Sequence, residues 1–152
     1  MKSTIRRTLG LSLAFLGLAA ATAKADLAVG ANLGEPTALD IRVGQQKTLE
    51  GMLGWSLRHG GTSRVILVGN MLFHGQSLGR ESPIAGIFPY AGVGLGFWSD
   101  GEQGAWLQVP LGIDFRFTVP IEVGFHVDPG MDVVPDTKFT VHWGLGIRYW
   151  FH

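Results

Sequence analysis

The sequence predicts an all-β protein, an eight-stranded antiparallel up-and-down transmembrane β-barrel preceded by a cleaved signal peptide. Three observations support this class. The chain opens with a basic and then apolar leader, eight later segments alternate apolar residues with small or polar ones, and an aromatic residue stands one position from the end. Such alternation is typical of a barrel wall that faces lipid outside and polar groups inside. We therefore expect a signal peptide over residues 1–25 and an outer-membrane β-barrel domain over residues 26–152.

The leader has the three parts of a secretory signal peptide. Lys2, Arg6 and Arg7 are basic, residues 9–21 are mostly apolar, and Ala23-Lys24-Ala25 is a small-residue cleavage site. The apolar stretch is shorter than the roughly 20 residues of a transmembrane helix. We therefore expect export through the periplasm to the cell outer membrane.

Composition excludes several classes of function. The chain has twelve basic and twelve acidic residues, and the leader holds four of the basic ones and none of the acidic ones. The remaining eight basic and twelve acidic residues argue against nucleic acid as a partner. There is no cysteine, which excludes disulfides, thiolate zinc sites and cysteine nucleophiles.

The eight predicted strands are defined by their outward apolar residues. In chain order these are Leu27, Val29, Ala31 and Leu33; Leu39, Ile41 and Val43; Leu49, Leu53, Trp55 and Leu57; Val65, Leu67, Met71 and Phe73; Ala91, Val93, Leu95 and Phe97; Leu107, Val109, Leu111, Ile113, Phe115 and Phe117; Val119, Ile121, Val123, Phe125 and Val127; and Phe139, Val141, Trp143, Leu145, Ile147, Tyr149 and Phe151. The fourth strand has an unusually apolar inner face, with Ile66, Val68 and Leu72, and residues 75–87 form a loose connection. An even strand number lets the sheet close without an unpaired edge in lipid.

Aromatic residues are expected to form two girdles at the membrane surfaces. One rim would hold Phe73, Phe88, Phe117, Tyr149 and Phe151, and the other Phe97, Trp106, Phe125 and Phe139.

The inward positions predict a lumen filled by side chains, as expected for eight strands. Inward glycines make room for large charged residues. Counting back from the turns pairs Arg42 with Glu50, Arg116 with Glu122, and Asp128 with Lys138 across neighbouring strands. The predicted structural ionic network comprises Asp40, Arg42, Glu50, Arg58, Arg64, Asp114, Arg116, Glu122, His126, Asp128, Lys138, His142 and Arg148.

The inward residues do not predict a catalytic site. His126 and Asp128 are two apart on one strand, about 6.6 Å along the backbone, which is too far for the hydrogen bond that orients an imidazole. Ser56 is the one serine placed inside on a predicted strand, and His74, His126 and His142 have no ligand-like spacing on one element. We therefore predict no catalytic residues, no metal and no cofactor.

Four later segments resemble a known family. They read Phe88-Pro89-Tyr90-Ala91-Gly92-Val93-Gly94, Val109-Pro110-Leu111-Gly112-Ile113, Ile121-Glu122-Val123-Gly124-Phe125-His126-Val127-Asp128-Pro129-Gly130 and Gly146-Ile147-Arg148-Tyr149-Trp150-Phe151. In these the chain resembles the small, mostly uncharacterised eight-stranded outer-membrane β-barrel proteins of bacteria, from which it departs by the trailing His152. The resemblance implies an eight-stranded barrel in the outer membrane, but no known reaction or ligand.

We expect an integral outer-membrane barrel with a packed ionic lumen, structural or surface-binding and without catalytic activity. The alternatives are a lipid-modifying enzyme of the acyl hydrolase or transferase type, and a small pore. The expected partners are outer-membrane lipid and the barrel-assembly machinery during biogenesis, and the protein is expected to be a monomer. Acidic outer loops offer a further surface for divalent cations or a basic partner, through Glu35, Asp100, Glu102, Asp132 and Asp136.

Overall fold

The computed structural model describes residues 26–56, 64–79, 81, 83–100 and 102–151. In these ranges the chain forms nine strand segments: β1 (Leu27–Glu35), β2 (Thr37–Val43), β3 (Lys47–Ser56), β4 (Arg64–His74), β5 (Ile84–Ser99), β6 (Gln103–Gln108), β7 (Leu111–Phe117), β8 (Ile121–Val134) and β9 (Lys138–Phe151). The predicted leader and Leu57 lie outside the described residues. Within those ranges, no helix is long and apolar enough to cross a membrane.

The nine segments close an eight-stranded antiparallel barrel. Each of the eight barrel strands pairs with its neighbour in sequence, and β1 pairs with β9 from Leu27↔Phe151 to Glu35↔Trp143. Both β6 and β7 lie between β5 and β8, so together they make one strand of the barrel. The predicted eight-stranded antiparallel barrel is confirmed. We call the end that holds Leu27 and Phe151 the proximal end, and the end that holds the turn between β1 and β2 the distal end.

The sixth barrel strand is interrupted at Val109 and Pro110, where the sequence predicted one continuous strand. Proline has no N–H to donate, so the regular ladder stops there. The neighbouring strands still hold the chain, because the Val109 N–H donates to the Pro129 carbonyl at 2.9 Å and the Gly92 N–H to the Pro110 carbonyl at 2.8 Å. The alternation survives, with Val109 exposed and Pro110 buried.

Two strands are longer than predicted. β5 begins at Ile84, so the last four residues of the predicted loose connection 75–87 belong to it. β8 continues to Val134, while Val119 lies in the turn before it rather than in the strand. The turn between β8 and β9 therefore lies at residues 135–137. This is later in the chain than a turn that would place Asp128 opposite Lys138.

The outer wall is apolar along the strands. The exposed large hydrophobic residues include Leu33 on β1, Val93 on β5 and Trp143 on β9, each more than half accessible. At the proximal end the rings of Tyr149 and Phe151 pack edge to face, with centroids 4.9 Å apart. A continuous apolar exterior on a closed barrel is the surface that lipid covers.

The distal half of the lumen holds an apolar cluster, which we call the apolar seal: Ala38, Met52, Ile66, Val68 and Trp106, with Trp98 packed against them. The cluster accounts for the apolar inner face of β4. Trp106 is 2% exposed, so its assignment to an aromatic girdle was wrong. It fits because Gly96 faces it, and a Cβ there would overlap the indole ring; the outward Gly51 faces open space instead.

Candidate functional site in the barrel lumen

Six charged residues from five strands meet in the lumen and form what we call the ionic core: Asp40 and Arg42 on β2, Glu50 on β3, Asp114 on β7, Glu122 on β8 and Arg148 on β9. All six are buried. Each occupies an inward position of its strand, because alternate residues of a strand face opposite sides of the sheet.

Arg42 is bonded to three carboxylates. Its guanidinium lies 2.6 Å from Glu50, 2.7 Å from Asp114 and 3.1 Å from Glu122. Its remaining terminal nitrogen lies 3.4 Å from the Tyr90 hydroxyl. The side chain therefore ties β2 to β3, to β7 and to β8, across the lumen as well as along the wall.

Arg148 is the second centre of the ionic core. It donates to Asp40 at 2.8 Å and lies 3.4 Å from Glu122, 3.6 Å from Glu50 and 3.7 Å from Asp114. Both guanidinium groups thus share the same carboxylates. Removing either would leave buried carboxylates with fewer cations, which is costly in a low-dielectric interior.

Two further cationic or ionisable side chains meet the core from the proximal side. Arg116 Nε donates to Glu122 at 2.9 Å, and His74 Nε2 lies 2.9 Å from Asp114. The Trp150 indole N–H also donates to Glu122 at 3.1 Å. Four carboxylates therefore face three arginines and one histidine.

A polar relay joins the ionic core to the apolar seal. The Asn70 amide donates to Glu50 at 2.7 Å, the Gln108 amide donates to Asn70 at 2.9 Å, and the Trp106 N–H donates to Gln108 at 2.5 Å. Asn70, Gln108 and Tyr90 are buried at inward positions of their strands, but none of them belongs to the predicted network. Their inward parity was the available signal, since a buried polar side chain needs a partner.

His126 and Asp128 do form a hydrogen bond, so the argument from their spacing was wrong. His126 Nδ1 lies 2.8 Å from Asp128 because the two side chains lean toward each other although their backbones are two residues apart. His126 Nε2 lies 3.0 Å from the Asn32 Oδ1 atom, and the Asn32 amide donates to the Pro36 carbonyl at 2.9 Å. The second ring nitrogen thus meets an amide oxygen rather than a hydroxyl nucleophile.

The remaining predicted network residues lie elsewhere. Asp128 is opposite His142 and Lys138 is opposite Asp132, so the predicted Asp128–Lys138 pair was wrong. The prediction failed because the turn after β8 lies later in the chain than expected. Arg64 bonds Asp100 at 2.8 Å toward the distal end, with its guanidinium 3.7 Å above the Trp98 ring.

Several expected features fall outside the ionic core. His142 packs beside Trp106, with ring centroids 5.0 Å apart. Arg58 is outside the described residues, as is the side chain of Ser56. Glu35 and Asp132 lie on strands rather than in the outer loops where they were expected. Across the described ranges, no three His, Asp or Glu side chains are grouped as a metal site.

Fold and lumen together define a class: a closed eight-stranded barrel with an apolar wall and an ion-paired interior, which is the outer-membrane type of β-barrel fold. Among solved structures, the chain is similar to the crystal structure of the N-terminal β-barrel domain of Pseudomonas aeruginosa OprF. The TM-score is 0.63 and the identity 16%, over 84% of this chain and 96% of that one. Comparisons with protein-family models and with curated proteins give no match.

Proposed function

We propose that this protein is an integral barrel of the bacterial outer membrane whose lumen is closed to ions, and that it serves a structural or surface-binding role without catalysis. The proposal includes membership of the small eight-stranded outer-membrane proteins that the sequence resembles. The single observation that carries it is the filled lumen, in which the ionic core and the apolar seal lie one above the other.

The two layers oppose conduction in different ways. The ionic core fixes charges from five strands by direct bonds, so an ion would have to break buried salt bridges to pass. Apart from the Trp106 N–H, which is already bonded to Gln108, the side chains of the apolar seal have no polar group that could replace the hydration shell of an ion. A small pore is therefore the less favoured alternative.

The geometry also argues against a lipid-modifying enzyme. A hydrolase needs a nucleophile within hydrogen-bond reach of its base. Here His126 Nε2 is engaged by Asn32, and both residues are buried. The His126–Asp128 pair is thus better explained as a structural bond between polar side chains in the lumen.

Outer-membrane lipid is the proposed partner of the wall, with the proximal end in the periplasm. The barrel-assembly machinery would handle the chain during biogenesis, and the aromatic outer face of β9 is a suitable surface for it. A monomer is proposed because β1 and β9 pair over nine residues and close the sheet. Nucleic acid is not expected to bind.

The membrane assignment and the absence of catalysis are tested in one expression experiment. We expect the protein to co-fractionate with the outer membrane and to change electrophoretic mobility on heating, as a folded barrel does. We also expect cells that express the wild type and cells that express His126→Asn to have identical lipid A and phospholipid profiles. Recovery in the soluble fraction would contradict the membrane assignment, and a lipid change lost in His126→Asn would contradict the absence of catalysis.

A further inference from the structure

A cleft of about 420 Å³ opens at the proximal end, beside the turn between β7 and β8. One lip continues the outer wall, where Val119 and Ile121 are exposed. The other lip is the mouth of the lumen, where Arg116, Phe88 and Trp150 line the cleft. The cleft therefore joins an apolar surface to a cationic one at the edge of the lipid-facing wall.

Arg116 supplies the positive charge of this cleft. Its Nε donates to Glu122, and one terminal nitrogen lies 3.5 Å from the Gln45 carbonyl oxygen. A guanidinium carries five N–H donors, so these two contacts leave donors for a ligand. The rings of Phe88 and Trp150 lie 4.6 and 5.2 Å from the guanidinium carbon and help to hold the group in place at the mouth.

Arg116 bonds Glu122, but Glu122 does not depend on Arg116 alone for its stabilisation. Glu122 also lies 3.1 Å from Arg42 and 3.4 Å from Arg148, and it accepts from the Trp150 N–H. This carboxylate is therefore stabilised from within the ionic core. Of the three arginines that meet Glu122, Arg116 is the most exposed, with 18% of its side chain accessible.

An amphiphile matches both lips of the cleft. A free phosphate would use the guanidinium and leave the apolar lip uncovered, whereas a neutral lipid would leave the guanidinium without an anion. A planar guanidinium matches the geometry of phosphate oxygens, and apolar residues at a membrane surface accept acyl chains.

We propose that this cleft binds the phosphodiester group of an anionic glycerophospholipid from the adjoining leaflet. Arg116 is the donor, and the acyl chains lie along Val119 and Ile121. The exposed Thr118 lines the same cleft next to them. The inference rests on the proposed function, because a lipid leaflet adjoins the cleft only when the barrel is inserted in a membrane.

The test compares Thr118→Glu with Thr118→Gln. Both variants remove the hydroxyl of an exposed turn residue, and they differ only in charge. Phosphatidylglycerol is added to the refolded protein in detergent, and the complex is measured by native mass spectrometry. We expect Thr118→Gln to bind within about threefold of wild type and Thr118→Glu to bind ~10-fold more weakly, because the added carboxylate repels the phosphate at short range.

Equal binding by the two variants would overturn the proposal. Soluble glycerophosphate that competes as well as the intact lipid would also overturn it, since the site would then be an anion site without a role for the acyl chains. The electrophoretic mobility of heated and unheated samples distinguishes a failure of the lipid site from a failure of the proposed function. Loss of the heat shift in the wild type contradicts the proposed function, while an intact shift with equal binding contradicts only the lipid site.

Discussion

Replacing Arg42 with methionine is expected to lower the free energy of unfolding by about 3 to 5 kcal/mol, because removal of one partner strands buried charge. Arg42 bonds Glu50, Asp114 and Glu122, and all four side chains are buried. The measurement is urea unfolding of the barrel in phospholipid vesicles. Because the variant can fall below the threshold for folding, the double variant Arg42→Met, Glu50→Gln is measured as well, and we expect it to recover part of the loss.

Arg64→Met is the matched control, because it makes the same chemical change at a more exposed pair. The side chains of Arg64 and Asp100 are 22% and 16% accessible. A pair near the surface contributes little, so we expect a loss of at most about 1 kcal/mol. Similar losses at positions 42 and 64 would contradict the assignment of Arg42 as a centre of the ionic core.

Replacing Trp106 with alanine is expected to cost about 3 to 5 kcal/mol, as large aromatic truncations in a packed interior do. Trp106 is buried among Met52, Ile66 and Val68, and its N–H donates to Gln108. The truncation removes the largest side chain of the apolar seal and leaves Gln108 without that donor.

The control for Trp106→Ala is Trp143→Ala, since both remove an indole from a strand of the same barrel. Trp143 faces outward and is 51% exposed. Its truncation opens no internal cavity, so we expect a clearly smaller loss in the same vesicle assay. A larger loss at Trp143 than at Trp106 would contradict the packing of the lumen.

The barrel wall was predictable because a strand has a side-chain period of two. On β9 burial alternates from Phe139 to Phe151, and all seven residues predicted to face outward are exposed. The same parity placed Asp40, Arg42 and Glu50 inside. Side-chain parity depends on the local backbone alone, which is why it could be predicted without knowledge of the partner strands.

Register was harder to predict, because it depends on where the turns fall. Pro129-Gly130 and Pro135-Asp136 both have the composition of a turn, yet only the second pair lies in one. Pro129 is accommodated within β8, where its carbonyl accepts the N–H of Val109. The predicted turn was thus too early, and Lys138 was assigned to Asp128 instead of Asp132.

Contacts across the lumen could not be predicted from the sequence. The bond of Arg42 to Asp114 joins residues 72 apart across the lumen. The bond of Arg148 to Asp40 joins residues 108 apart and passes over Gly30 of β1, which lies opposite both residues. Such pairs follow from barrel closure and strand stagger together. The His126–Asp128 bond was missed for another reason, because backbone spacing on a strand does not fix how far two side chains lean toward each other.

The central claim is that the lumen is closed, and planar-bilayer conductance of the refolded, heat-modifiable protein tests it most directly. We predict no steady channel current in the wild type, because the ionic core and the apolar seal both lie across the path. A stable, reproducible conductance from wild-type protein would contradict the claim, even though the barrel itself would remain.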